Sequence, residues 1–271
     1  DDYRAYVGGT TGLIYGFVND GFYTVDDFKP FDSKSRTWTL KDGVVNSSPL
    51  SGDPRPGNAK FKKLTPVDEN SANPYTLTDD DRTVIGNTTP KFSGGFGLNA
   101  TFKGFDVSAF FNFMYDFDVF NANKVMMTTW ASNNYNNFSM DISAAKRWRN
   151  FDDMGNEIRY SPEILAEFNK NATMWNPTSI GRPIAMSYAV EDGSFLRLNT
   201  ATIGYTLPRA WTNKVGLSRV RFYASGYNLF TITGYSGYDP EVDIATGLTP
   251  NIDNNRYPRS RTYTFGVQLT F

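Results

Sequence analysis

The side chains of this chain that could do acid–base chemistry are carboxylates. The 271 residues contain no histidine and no cysteine, which excludes thiol nucleophiles, His-dependent triads, disulfides and zinc sites built from these residues. A glycosidase would need two carboxyl groups facing each other across a cleft. The sequence places no such pair on facing strand ends, so we do not expect an enzyme.

Two groups of carboxylates are dense enough to consider as cation sites. They are Asp79-Asp80-Asp81, and Asp152-Asp153 with Glu157. Hard cations bind oxygen ligands of this kind, but neither group has the spacing of an EF-hand loop. We therefore expect solvated turns at both places, no bound metal and no cofactor.

Aromatic residues are the other candidates for binding, because they make up 16% of the chain. Those on the long segment 120–192 with polar neighbours are Trp130, Tyr135, Trp148 and Trp175. Rings with a polar edge can stack on sugar faces or on peptide side chains. The sequence thus predicts substrate contact here, and the alternative is that the rings pack the loops together or against a partner.

The overall charge and hydropathy exclude two further classes. The chain has 27 Lys+Arg and 28 Asp+Glu, a net charge of −1, so a nucleic-acid partner is not expected. It also lacks an apolar run long enough for a transmembrane helix. The first residues, Asp1-Asp2-Tyr3-Arg4, lack a charged region followed by an apolar stretch, so no signal peptide is expected in this sequence.

Apolar and small polar residues alternate with period two in five segments, a pattern that predicts β-strands. The segments are 92–102, 105–117, 194–207, 219–231 and 259–271. The first two are joined by Lys103-Gly104, a two-residue hairpin signal. A helix is predicted only near residues 162–169. The connections are alternately long and short, which is typical of outer-membrane barrels.

These strands predict a membrane wall with an apolar lipid-facing side and a small polar side toward a hydrated lumen. We divide the chain into a loop region, 1–91, and a strand region, 92–271, with long extracellular loops at 120–192 and 232–258. Five strands leave two unpaired edges, which hydrocarbon does not tolerate. Further strands must therefore come from elsewhere in the protein.

A set of short motifs in collinear order resembles the SusC-like TonB-dependent outer-membrane transporters. The motifs are Val7-Gly8-Gly9 with Gly12, Tyr15-Gly16-Phe17, Asp20-Gly21, Pro56-Gly57, Asp81-Arg82-Thr83-Val84-Ile85-Gly86, Val190-Glu191-Asp192-Gly193-Ser194-Phe195-Leu196-Arg197-Leu198-Asn199, Ile203-Gly204-Tyr205-Thr206-Leu207-Pro208, Tyr227-Asn228-Leu229-Phe230, Gly237-Tyr238-Asp239-Pro240-Glu241, Tyr257-Pro258, Arg261-Thr262-Tyr263-Thr264-Phe265-Gly266 and the last residue, Phe271. Each match is weak alone, whereas the ordered set is specific.

The resemblance implies an all-β fold, the C-terminal strands of a 22-stranded antiparallel transmembrane β-barrel with long extracellular loops. It implies an outer-membrane importer of oligosaccharides or peptides, with a SusD-like surface lipoprotein as lid and lipid around the wall. Further implied partners are the N-terminal plug, the remaining strands, and TonB through the absent N-terminal part. Phe271 resembles the aromatic signal for barrel assembly. Val67–Pro74 departs from the family's Asp-x-Asn-x-Asp-Gly-like loop, which argues against an ion there.

The alternative is a soluble β-sandwich that binds polysaccharide through aromatic loops. It would explain the strands and the rings. However, the exposed face of a sandwich is usually charged, whereas the polar faces here carry Gly95, Gly97, Thr264 and Gly266. Small uncharged residues favour a lumen wall over a soluble surface.

Overall fold

In the computed structural model, residues 3–4, 7–130, 138–242, 247 and 249–271 are described. Strands dominate this part of the chain. They are β1 (Tyr3–Arg4), β2 (Leu13–Gly16), β3 (Asn19–Phe22), β4 (Ala59–Phe61), β5 (Thr83–Asn87), β6 (Phe92–Phe102), β7 (Phe105–Tyr115), β8 (Asp118–Asn121), β9 (Val190–Asp192), β10 (Phe195–Thr206), β11 (Arg219–Thr233), β12 (Ile252–Asp253) and β13 (Thr262–Thr270). The prediction of an all-β fold is confirmed.

The helices are short. They are α1 (Ser48–Ser51), α2 (Ala122–Met126), α3 (Pro162–Phe168) and α4 (Arg209–Thr212), with 3-10 turns at Val25–Asp27, Asp79–Asp81, Met140–Ile142, Pro177–Ser179, Ser187–Ala189 and Asn213–Val215. The predicted helix near 162–169 is α3, which begins at a proline, a residue suited to the first helical position because it has no N–H to leave unpaired. Across the described ranges, no helix has both the length and the apolar character needed to cross a membrane.

The main structure is a five-stranded sheet in the order β13-β11-β10-β7-β6. Every neighbouring pair is antiparallel, and the five predicted strands are confirmed. At the β6–β7 turn, Lys103 and Gly104 both have positive φ, 47° and 88°, as a two-residue hairpin of this kind requires. Phe102 and Phe105 pair directly across it.

The register places most of the apolar side chains of the five strands on one face. Phe96 lies opposite Phe111, which lies opposite Leu198, which lies opposite Phe230. Exposed members of this apolar face include Leu98, Phe105, Ile203, Phe222, Phe265 and Val267. Phe265 is 80% exposed, so this face is a broad apolar surface on which no other described residue packs.

The opposite face is polar and internally paired. Arg221 on β11 forms an ion pair with Asp106 on β7, across the intervening strand β10. The hydroxyls of Thr202 and Ser225 are 2.8 Å apart. These two pairs link polar groups of neighbouring and next-neighbouring strands across the sheet.

Large side chains on the polar face lie flat over glycines of the neighbouring strand. The pairs are Gly95 with Phe110, Gly204 with Arg221, and Gly266 with Tyr223. A Cβ atom on these glycines would come within 2.8, 2.4 and 2.4 Å of the large side chain, respectively. Only glycine allows this close approach.

A β-bulge interrupts β10 at Asn199. The register shifts between Leu198 and Thr200 against both neighbouring strands. Without the extra residue, alternation would turn Leu198 and Ala201 to opposite faces. With it, Leu198 and Ala201 lie on the same apolar face as their partners Phe111 and Ala109.

The chain divides into two compact units. The loop unit comprises Asp1–Gly86 and Phe120–Val190, and the sheet unit comprises Asn87–Val119 and Glu191–Phe271. The sequence-based division at residue 91 follows chain order, whereas the structure groups the segment after β7 with the first 86 residues.

Two hydrophobic clusters hold the loop unit together. The larger contains Phe17, Phe61, Ile142, Trp175 and Ile180 with further apolar residues, and the smaller is built on Trp148, Ile158 and Leu165. The small sheets β1-β2-β5 and β3-β4 have few strands. The loop unit is therefore stabilised mainly by buried aromatic and apolar side chains from separate loops, and less by pairing between strands.

Candidate functional site

The predicted substrate-binding rings have different environments. Trp130 is 47% exposed and its ring centroid lies 5.6 Å from that of Phe138. Trp148 and Trp175 are buried, with 3% and 2% of their surface exposed. Trp175 donates a hydrogen bond through Nε1 to the Thr128 carbonyl at 3.3 Å. Tyr135 lies outside the described residues. The two buried rings match the alternative interpretation, in which they pack the loops.

Trp130 and Trp148 nevertheless line one cavity of about 520 Å³, the tryptophan cavity. Its other rings are Phe138 and Phe151, and its basic residues are Arg147, Arg149 and Arg159. Arg149 pairs with Asp153 at 2.7 Å, and Arg147 donates to the Ile142 carbonyl at 2.9 Å. These two guanidinium groups are therefore partly engaged in holding the loop.

A second cavity, of about 480 Å³, lies on the same unit and is termed the arginine cavity. It is lined by Arg36, Arg55 and Arg159, by the rings of Trp38 and Tyr160, and by one carboxylate, Asp53, among others. Asn150, Arg159 and Thr178 line both cavities. Both volumes fall within the range of small-molecule sites.

Packed aromatic rings position the arginines of this second cavity. Trp38 contacts Phe31 with ring centroids 4.8 Å apart, and its Nε1 donates to the Arg159 carbonyl at 3.3 Å. The guanidinium carbons of Arg36 and Arg159 lie 5.4 and 5.8 Å from the centre of the Tyr160 ring. These are cation–π distances.

Arg36 lies in a tight loop whose turn is stabilised by Asp32. The Asp32 carboxylate accepts from the Ser35 hydroxyl at 2.7 Å and from the Lys34 N–H at 2.9 Å. The Ser35 hydrogen bond and then the Lys34 N–H hold the pKa of Asp32 below its usual value.

Sequence reasoning missed the arginine cavity, because its residues come from separate loops without a shared period.

The Pro56-Gly57 motif packs directly on Trp148. Gly57 has φ +89°, and a Cβ atom there would lie 2.1 Å from Cδ1 of Trp148. Any larger residue would need both a rare backbone conformation and a displaced ring. The motif therefore seats Trp148 in the wall of the tryptophan cavity.

The acidic groups serve as turn and loop clamps. Asp81 is fully buried, so the expectation of a solvated turn is wrong at this position. Burial disfavours its charged form, but hydrogen bonds from Thr65, Thr78 and Leu64 outweigh that cost and hold the pKa of Asp81 well below its usual value. Lys63 adds an ion pair at 3.3 Å. Buried carboxylates need such partners.

Asp152 forms the second clamp. Its Oδ1 accepts from the N–H groups of Met154 and Asn156, at 2.9 and 2.8 Å, and these hydrogen bonds shape a surface turn. In the described ranges, no group of three or more Asp or Glu residues is arranged to hold a metal ion.

The sheet unit contains a buried ion-pair cluster on the polar side of β10. Arg197 is 3% exposed and binds Asp239 at 2.5 Å and Glu241 at 3.3 Å. Arg259 pairs with the other oxygen of Glu241 at 2.8 Å. The cluster thus fastens the loop after β11, including the Gly237-Tyr238-Asp239-Pro240-Glu241 motif, to the sheet.

Tyr235 closes the same loop from within the small cluster of Phe117, Val119, Phe195 and Val242. Its hydroxyl donates to Asp253 at 2.7 Å. Burial, and then the neighbouring Asp253 carboxylate, raise the pKa of Tyr235. The predicted assembly residue, Phe271, follows β13 and is 90% exposed.

Curated relatives of this chain include several TonB-dependent receptors. TonB-dependent receptor P3 of Formosa agariphila is 30% identical over 270 residues, which is 97% of this chain and 22% of that protein. TonB-dependent receptor SusC of Bacteroides thetaiotaomicron is 32% identical over 164 residues, 55% of this chain and 15% of that protein. The chain is homologous to SusC-type TonB-dependent receptors. No family model matches the sequence.

The fold of the chain agrees with this similarity. A chain of the RagAB peptide importer in its closed-closed state matches 97% of this chain with a TM-score of 0.60 and 23% identity, and the match covers 23% of that chain. The open-open state gives a TM-score of 0.59. This chain spans about a quarter or less of the curated relatives it matches. The relatives are receptors and not enzymes, as predicted.

Proposed function

We propose that this segment forms part of the barrel wall and the extracellular loops of an outer-membrane nutrient importer. In this proposal the apolar face of β6, β7, β10, β11 and β13 contacts lipid, and the polar face lines the lumen. Each of these strands has at least nine residues, enough for a tilted strand to cross the hydrocarbon core. Further strands of the same protein pair with β6 and β13 to close the barrel.

The apolar face carries this proposal. It runs without interruption across five strands, with Leu98, Ile203 and Phe265 each at least half exposed. A soluble protein rarely leaves a contiguous apolar surface of this extent in water. A lipid environment removes the cost, because hydrocarbon solvates these side chains as well as a protein core does.

The loop unit is the proposed ligand-facing part. Its cavities place Trp130 and Tyr160 among arginines and amides, a mixture that suits polar nutrients such as oligosaccharides or peptides. We further propose a SusD-like lipoprotein as lid, an N-terminal plug and TonB as the energy-coupling partner. Mass spectrometry of polypeptides that co-purify with the protein in mild detergent tests these partners.

Single cysteines on adjacent residues of β13 test the wall. Val267→Cys lies on the apolar face and Gln268→Cys on the polar face, and this segment contributes no native cysteine. Each variant of the full-length protein is labelled with an environment-sensitive fluorophore in liposomes that contain doxyl lipids. We expect the doxyl groups to quench the label at residue 267, and soluble iodide to quench the label at residue 268.

The same experiment decides between the barrel and the soluble β-sandwich. In a sandwich, a second sheet would cover the apolar face, and neither quencher would reach residue 267. Equal quenching of both labels by iodide would also contradict the proposal. The adjacent positions share one strand and depth, so each variant serves as the control for the other.

A further inference from the structure

We propose that the arginine cavity binds an acidic oligosaccharide, one whose sugar rings carry carboxylate or sulfate groups. The inference rests on the proposed function, in which the loop unit meets nutrient ligands, and it names their chemical class. Among the described residues that line the cavity, Arg36, Arg55 and Arg159 face one carboxylate, Asp53. This local excess of positive charge stands out because the whole chain has a net charge of −1.

The arginines of the cavity have guanidinium N–H donors that are available to a ligand. Arg159 pairs through Nε with Glu157, and among the described residues no carboxylate pairs with its terminal nitrogens. For Arg36 and Arg55, the described part of the chain contains no ion-pair partner. Like charges around a small volume repel one another, and an anion placed between them removes that cost. A planar guanidinium binds carboxylate and sulfate oxygens through two parallel hydrogen bonds.

Neutral groups of the cavity suit sugar hydroxyls. Asn150 lines it with an amide that makes no side-chain hydrogen bond in the described structure, and Thr178 adds a hydroxyl. Tyr160 and Trp38 provide partly exposed rings, and sugars present C–H faces that pack on aromatic rings. The arginines can therefore bind the acid group, and the neutral hydrogen-bonding groups and rings can bind the sugar that carries it.

A saccharide fits this cavity better than an acidic peptide does. Extended peptides commonly bind by adding a strand to an exposed sheet edge. The lining residues lie in loops, short helices and 3-10 turns, and none belongs to strands β1–β13. The cavity therefore offers no backbone ladder for a peptide, whereas its side chains suffice for a sugar.

Calorimetric titration of the full-length protein in detergent tests the inference. The probes are trigalacturonate, a sulfated chondroitin disaccharide, uncharged maltotriose and a hexaglutamate peptide. We expect at least one acidic saccharide to bind, with an affinity that falls as salt is raised. Arg55→Gln and Arg36→Gln should each weaken it by about ten- to a hundredfold, the usual cost of one charged hydrogen-bonded contact.

Arg209→Gln is the matched control, because it removes the same charge from an exposed position of the sheet unit, and it should leave the affinity unchanged. Arg36 and Arg55 are themselves exposed, so their variants should fold.

Galacturonate and chondroitin sulfate separate carboxylate from sulfate recognition. The inference is overturned if neither acidic saccharide binds, if maltotriose binds equally well, if hexaglutamate binds as tightly through the same arginines, or if the variants bind normally. The quenching result on β13 is independent of all these outcomes.

Discussion

Replacing Arg197 with methionine tests how the loop after β11 is held on the sheet. Arg197 is 3% exposed and contacts two carboxylates that are themselves about 90% buried. Removing one partner of a buried ion pair costs about 3 to 5 kcal/mol. We expect the lower end, because Glu241 keeps Arg259 at 2.8 Å and Asp239 keeps the Glu241 N–H at 2.9 Å.

The assay is hydrogen exchange of peptides covering residues 234–242 in the full-length protein. A loss of about 3 kcal/mol raises the opening equilibrium roughly a hundredfold, so exchange in this loop should accelerate by that factor. Adding Asp239→Asn should recover part of the loss, because the carboxylate left unpaired is then neutral.

Arg221→Met is the control for this prediction. Arg221 also pairs with a carboxylate on the polar face, but Asp106 is one-third exposed, so water can replace the arginine and the loss should be smaller. Unchanged exchange in the Arg197 variant would refute the reasoning. The reasoning would also be refuted if the double variant, Arg197→Met with Asp239→Asn, exchanged as fast in this loop as Arg197→Met alone.

Asp81→Asn should loosen residues 63–81 near neutral pH, because an amide cannot accept all the hydrogen bonds that the carboxylate accepts from Thr65, Thr78 and Leu64. Since folding lowers the pKa of Asp81, its contribution is complete above the usual pKa of aspartate and is lost as pH falls below it; acid titration followed by hydrogen exchange should show this acid limb in the native protein and not in the variant. Deleting Phe271 should reduce the heat-modifiable barrel recovered from outer membranes if this ring serves barrel assembly, whereas Phe271→Tyr, which keeps an aromatic end, should assemble normally; normal assembly of the deletion would contradict the role.

The sheet was predictable because its signal is local. Alternating residues in β6 and β7 and the Lys103-Gly104 turn lie within one short stretch of sequence, and the structure confirms them. The bulge at Asn199 was not evident, although it leaves a trace: the apolar positions change parity between Leu198 and Ala201. Such a shift indicates an extra residue only once the neighbouring strands are known.

The loop unit was not predictable by the same means. Its core joins Phe17 and Phe61 to Trp175 and Ile180, residues more than 100 positions apart that follow no period. The arginine cavity depends on the same long-range packing, as does the burial of Asp81. Composition predicted that aromatics mattered, but contact between distant segments decided which rings would be covered.

The glycines under Phe110, Arg221 and Tyr223 have a consequence for the space enclosed by the wall. A side chain that lies along its neighbour's backbone takes up less of the interior than one that stands upright. If the polar face lines the channel, these glycines widen the bore while keeping aromatic and charged groups within reach of passing cargo. Substituting alanine there would narrow the passage by raising the neighbouring side chain, even though alanine is itself small.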